Sequence, residues 1–321
     1  MRIVTFGEIM LRLSPVGYKR FIQADSFDVN FGGAEANVAT ALARFGISST
    51  YVTKLPQNPV GDMAVSALAK YGVDVSFIAR GGERVGIYYY EKGIGERRSN
   101  VVYDRAHSAV SESKRADFDW QSVMQGADWF HITGITAAVV DKEIIKDALE
   151  AAKQNGAVIS IDYNYRSKLW TRSEMAERMR EFMPYADVFI GGDTDANDLL
   201  GFNAASPMAE LMQKYGIKLA ARTVRESISA SDNIISAVIY HDGKEYYSKK
   251  HSVRIADRVG GGDAFDAGLI YALMNRYDCQ TAVEFAIASD CLKHTTEGDM
   301  ALSTVDEVKE LAASTGGDVA R

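Results

Sequence analysis

The residues with the plainest chemical potential lie in "DRVGGGDAFDAG", Asp257 to Gly268, where three consecutive glycines, Gly260 to Gly262, precede Asp263. The apolar residues Phe265, Leu269, Ile270 and Leu273 follow at helical spacing, which puts the glycines at a helix N-terminus. There the first backbone N–H groups lack intrahelical partners and the dipole is positive, so an anion is favoured. Glycines let a backbone approach an oxygen-rich ligand without Cβ interference. The same positive end favours an ionised Asp263, as a proton acceptor requires. Glycine and aspartate at a helix start are also ordinary capping chemistry, and on these residues alone the two readings stand level. Two familiar nucleotide motifs do not match: no Lys-Ser/Thr pair follows the glycines, and no GxGxxG follows the first strand.

Such a site needs elements to hold it. Short apolar runs predict strands at residues 3–6, 49–55, 127–132, 157–162, 186–191 and 217–221. Between them lie segments of helical spacing, among them "AEANVATALARFG", "GDMAVSALAKYG", "KEIIKDALEAAKQNG" and "SEMAERMREFMPY". Strands alternating with helices argue for βαβ units and a mostly parallel sheet covered on both faces. Residues 11–31 and 84–105 break the rhythm with aromatic-rich, strand-like pieces and no helix between, which predicts a small antiparallel sheet acting as a lid. A hairpin is expected at 235–250, turning at "HDG". With no repeat and no linker, residues 1–321 read as one domain carrying a lid.

Bulk properties narrow the function. The chain is 47% hydrophobic and 25% charged, ordinary for a protein with a real core. Its net charge of −7 argues against general binding to nucleic acid or an anionic membrane, though not against a local basic pocket. Cys279 and Cys291 have no metal-site or CxxC spacing, the N-terminus lacks a signal-peptide pattern, and no apolar run approaches the ~20 residues of a membrane span. A cytoplasmic location is the expectation.

"DRVGGGDAFDAG" resembles the C-terminal signature of the PfkB (ribokinase-like) carbohydrate kinases, D-T-x-G-A-G-D-x-F, with Arg258 in place of the usual Thr and Gly261 in place of Ala. "FGGAEANVATALARFG" is similar to the N-terminal signature of the same family. The resemblance implies a three-layer α/β/α domain and a kinase using ATP and Mg²⁺. Gly260, Gly261, Gly262 and Asp263 would form the anion hole, and Asp263 would take the proton of the sugar hydroxyl, a division of labour that suits phosphoryl transfer. It further implies a metal-associated N-x-x-E motif, where "GGDTDA" leaves Asp195 as the candidate ligand, and a nucleotide-binding turn, where Thr223 and Arg225 are candidates but the glycines are missing. A monovalent cation beside Asp257 is another family feature, left open because Arg258 is so near.

"FGEIMLRLSP", "YDRAHSA", "HITGITAA", "DYNYRSKLW" and "CLKHTTEGD" resemble the branch of the family that phosphorylates 2-keto-3-deoxygluconate. By that likeness Gly33, Tyr88, Tyr103, Arg105, Asn164 and Arg166 would face a sugar acid, the two arginines on its carboxylate as forked guanidinium groups suit. The competing readings are a kinase for a neutral ketose such as fructose and, from another class, a sugar-binding regulator without activity. Lid strands with apolar surface and unpaired edges imply a homo-oligomer.

Overall fold

The computed structural model describes residues 1–314. The chain enters on β1 (Arg2–Phe6), passes through β2 (Met10–Pro15) and β3 (Phe27–Gly32), and after a helix at Ala34–Arg44 returns on β4 (Ser48–Leu55). A helix at Pro59–Ala69 leads to the short β5 (Ile78–Arg80), then to β6 (Gly86–Glu91) and β7 (Asn100–Asp104). β8 (Trp129–Thr133), β9 (Val158–Asp162) and β10 (Val188–Ile190) alternate with helices, including Lys142–Gln154 and Arg172–Phe182. Next come β11 (Leu219–Ser227), β12 (Asp232–His241), β13 (Lys244–Tyr247) and β14 (His251–Arg254). Helices at Gly261–Met274, Cys279–His294 and Val305–Ala313 follow.

The large sheet has the order β13-β12-β11-β10-β9-β8-β1-β4-β5, with β14 also on β12. Every pairing from β11 to β5 is parallel, and β12 runs antiparallel to its neighbours. The two-residue strand period divides the apolar residues between two cores. Val4 and Phe6 of β1 pack with residues of the Lys142–Gln154 and Arg172–Phe182 helices. Ile3 packs on the other side with those of Ala34–Arg44, Gly261–Met274 and Cys279–His294. Strands buried on both faces read as continuous apolar runs, which is why the sequence showed them so clearly. The result is the expected ribokinase-like three-layer arrangement.

Three expectations need correction. The second sheet, ordered β3-β2-β6-β7, is mixed rather than antiparallel, because β2 and β6 are parallel neighbours. A parallel neighbour needs a long crossover, and here the connection makes a full excursion through the main sheet. Within 11–31, Phe21–Gln23 forms a turn of 3₁₀ helix, so only part of that segment is strand. The strand expected at 217–221 continues to Ser227, straight through the segment where a nucleotide-binding turn was expected. Nothing in "LAARTVRES" breaks a strand, and β12 pairs with it from Leu219 to Ser227. The hairpin at "HDG" is present between β12 and β13. Among the described residues no helix is long and apolar enough to cross a membrane.

Candidate active site

A cleft of about 1140 Å³ opens at the carboxyl ends of β9 and β10, the usual place for a ligand in an open parallel sheet. The second sheet contributes Tyr88, Tyr90 and Tyr103 to its wall, and the glycine run with Asp263 lies in it.

Two of the three glycines exclude a side chain, each for a different reason. Gly260 caps the Gly261–Met274 helix at φ +87°, and a Cβ there would stand 1.9 Å from the carbonyl oxygen of Asp299. Gly261 has ordinary helical backbone, but a Cβ would fall 2.4 Å from Cε1 of His294 and 2.5 Å from Oδ1 of Asp290. Gly262 meets nothing within 4 Å and lies on the open cleft. The departure from the family's alanine at 261 is therefore a packing consequence of His294 and Asp290, both buried. Gly261→Ala should lower stability by about 1–3 kcal/mol, the usual cost of forcing atoms into a filled space. Denaturant unfolding checks this, and an unchanged midpoint refutes it.

Asp263 is half-buried and accepts a hydrogen bond from Nδ2 of Asn37 at 2.6 Å. Asn37 in turn accepts at Oδ1 from the backbone N–H of Gly33 (3.4 Å), the residue that heads the Ala34–Arg44 helix. The two glycine-rich signatures are thus joined through one amide. Burial pushes the Asp263 carboxyl up to about 6, while Asn37 and the nearby Arg166 hold it from going higher. A base with that value is ionised at neutral pH yet basic enough to take a proton. Burial drives the Asp162 and Asp266 carboxyls upward, and repulsion from Asp263 adds to both.

The expected sugar-side residues fall into different positions. Gly33 is extended (φ 177°), and its missing side chain matters because a Cβ would lie 1.9 Å from the carbonyl oxygen of Glu8. Tyr88 lines the cleft, but its hydroxyl donates to Asp299. Tyr103 stacks obliquely on it, ring centroids 6.0 Å apart. Asn164 sits at φ +45°, a left-handed conformation that asparagine tolerates. Its backbone and side-chain N–H groups both donate to Asp162 (3.1 and 2.7 Å), so it holds Asp162 rather than Arg166. Arg166 is exposed to the cleft, and among the described residues its only hydrogen bond goes to the neighbouring Tyr165 carbonyl. Arg105 is not in the lining: both Nε and a terminal nitrogen donate to the carboxylate of buried Glu8.

On the other side of the cleft, Thr223, Arg225 and Ser227 alternate along β11 and line the wall. Arg258 lies with Arg225, whose guanidinium is shifted down by burial and by Arg258, and with Arg166 these make a basic wall in an acidic protein. Arg258 does not pair with Asp257; its contact is the carbonyl of Ala230 (3.4 Å). Asp195 is an N-terminal carboxylate of the Asp193–Leu200 helix, accepting from the Gly192 N–H at 2.8 Å and from Arg172 at 3.2 Å. Among the described residues no three His, Cys, Asp or Glu side chains converge as a metal cage.

The place beside Asp257 is filled by protein. Buried Arg12 bridges Asp257 (2.5 Å) and Asp299 (2.8 Å) and lies over the Tyr90 ring at 4.4 Å. The Asp257 carboxylate also accepts from the N–H groups of Val259 and Gly298, each at 3.2 Å. Lys293, wholly buried, points its ammonium at the carbonyls of Thr296 (3.0 Å) and Asp257 (3.5 Å). With those oxygens taken, the residues do not fit a bound monovalent cation.

Sequence reasoning missed Asn37, Arg12, Asp299 and Lys293 as parts of the site. Asn37 stood in the N-terminal signature and was readable from it. The others come together only through the tertiary fold.

The fold and this cleft define a carbohydrate kinase of the ribokinase type. Residues 1–305 match the pfkB family of carbohydrate kinases, and the chain belongs to that family. It is 32% identical to the 2-dehydro-3-deoxygalactonokinase of Haloferax volcanii over 98% of this chain and 97% of that one. It is 27% identical to the 2-dehydro-3-deoxygluconokinase of Bacillus subtilis over 92% of this chain and 90% of the other. The crystal structure of the Thermotoga maritima 2-dehydro-3-deoxygluconokinase superposes with a TM-score of 0.95 at 46% identity, covering 98% of this chain and all (100%) of that one.

Proposed function

We propose that this kinase phosphorylates a 2-keto-3-deoxy sugar acid, most simply 2-keto-3-deoxygluconate at its 6-hydroxyl, with ATP as donor. The observation that carries the reading is one cleft holding a hydrogen-bonded carboxylate at a glycine-rich helix start and an arginine free to meet a second carboxylate. The substrate's 6-oxygen attacks the γ-phosphorus, its proton passes to Asp263, and the bond between γ-phosphorus and bridging oxygen breaks to release ADP. The unhindered N–H groups at Gly260, Gly261 and Gly262 meet the charge on the transferring group. Arg166 orients the acid by its carboxylate, the Tyr88 and Tyr103 rings cover the sugar, and Thr223 and Arg225 meet the nucleotide.

Mg²⁺, when bound with the nucleotide, neutralises phosphate charge. It keeps much of its water in such sites, which suits a cleft offering separate carboxylates rather than a cage. Asp195 would reach it through water, since its oxygens already serve Gly192 and Arg172.

A coupled ADP-release assay against both keto-deoxy acids (gluconate- and galactonate-derived), fructose, ribose and a nucleoside tests the reading. Preference for either keto-deoxy acid supports it; preference for fructose replaces it with the neutral-ketose alternative. The second sheet, read as a lid, leaves Phe27 and Val29 on one outer strand and Val102 on the other exposed, a surface suited to a second copy. A homo-oligomer is expected, and sedimentation showing a monomer at micromolar concentration would exclude it.

A further inference from the structure

Beneath the glycine run lie four buried charged side chains, two of each sign. Arg12 and Lys293 supply two positive charges, Asp257 and Asp299 two negative ones, and all four are buried. Every member also touches the backbone or side chains that shape the anion site. The carbonyl of Asp299 lies where a side chain at Gly260 would be, and the Lys293 Cε would stand 3.3 Å from that same Cβ. The Lys293 ammonium takes carbonyl oxygens on either side of the loop: Asp257, three residues before Gly260, and Thr296, beyond the Cys279–His294 helix.

We infer that the Lys293 ammonium is a built-in cation that positions the Gly260–Gly262 loop, so that phosphoryl transfer here needs no monovalent metal ion. Carbonyl oxygens converging on a compact positive charge are what a K⁺ ion would recruit. An added ion would leave the buried group with an uncompensated charge, whereas the ammonium brings it to neutrality. Lys293 touches neither substrate and acts through the loop, so it is a positioning residue. The inference rests on the kinase reading for its consequence in turnover, but not for its consequence in stability.

The test replaces KCl by tetramethylammonium chloride at constant ionic strength and follows both kcat and the thermal unfolding midpoint. The wild type should be unchanged in both. Lys293→Ala removes the ammonium and its stem, leaving room among the carbonyls and one net buried negative charge. Its turnover should fall on the order of 100-fold, the scale of losing one well-placed donor to the reacting charge. KCl or ammonium chloride should restore turnover and raise the midpoint, while tetramethylammonium, too large to enter, should do neither. Lys293→Met fills the stem's space without charge and should fall without being restored, which a merely structural role for the side chain does not produce.

Severalfold activation of the wild type by K⁺ overturns the inference, as does a Lys293→Ala variant indifferent to which cation is present. If Lys293→Ala does not fold, the wild-type titration decides alone. If no sugar acid is phosphorylated at all, the kinase reading has failed, and the K⁺-dependent midpoint of Lys293→Ala still decides the inference.

Discussion

Asp263→Asn should lower kcat for the sugar acid by about 10²–10⁴-fold, the range a positioned general base contributes. The substitution keeps the side chain's shape and an oxygen that can accept from Asn37, but it cannot take the hydroxyl proton. Sugar and nucleotide affinities measured by calorimetry should change far less than turnover, because Arg166 and the β11 side chains are untouched. A pH profile adds a second readout. The Asp263 carboxyl lies at about 6 through burial, and only its ionised form accepts a proton, so wild-type kcat/KM should fall as pH drops through about 6. That acid limb should vanish in whatever activity Asp263→Asn retains. Near-normal turnover in the variant, or an acid limb that survives in it, would remove Asp263 from the role of base.

How much of this was legible beforehand follows from the range of the interactions. The parallel strands were readable because burial on both faces makes them continuous apolar runs, and Ile3 beside Val4 shows that directly by entering opposite cores. The glycine run and Asp263 were readable because a helix start and its cap are local events. What failed was non-local. Arg258 is adjacent to Asp257 in sequence, yet the partner of Asp257 is Arg12, 245 residues away. Gly261 looked like a loosened signature until His294 and Asp290, from the next helix, were seen to fill the space an alanine needs. The expected turn near Thr223 is a strand because the segment holds no turn glycine and pairs with β12 along its whole length. Asn164, expected to face the sugar acid, sits in a left-handed conformation that turns both its donors onto Asp162, which no spacing rule would show.

Arg166→Ala should reduce kcat/KM for a keto-deoxy acid by about 10- to 150-fold, the equivalent of about 1.5–3 kcal/mol for hydrogen bonds to a charged group. It should leave kcat/KM for fructose, which has no carboxylate, nearly unchanged. Sequence alone made Arg105 an equal candidate, and the structure separates the two. Arg105 is already committed to Glu8, whose carboxylate is buried, whereas Arg166 is exposed in the cleft with only the Tyr165 carbonyl. Arg105→Ala strands a buried carboxylate, a loss of about 3–5 kcal/mol in comparable broken pairs, and that cost falls on the folded state whatever the substrate. The two variants should therefore differ in kind. Arg166→Ala shifts substrate preference at constant stability, and Arg105→Ala lowers the unfolding midpoint and depresses turnover of acid and ketose alike. Parallel rate measurements on both substrates with a denaturant titration of each variant distinguish these outcomes. Equal losses on acid and ketose in Arg166→Ala would show that the cleft does not use that guanidinium to read a carboxylate, and the neutral-ketose alternative would then take its place.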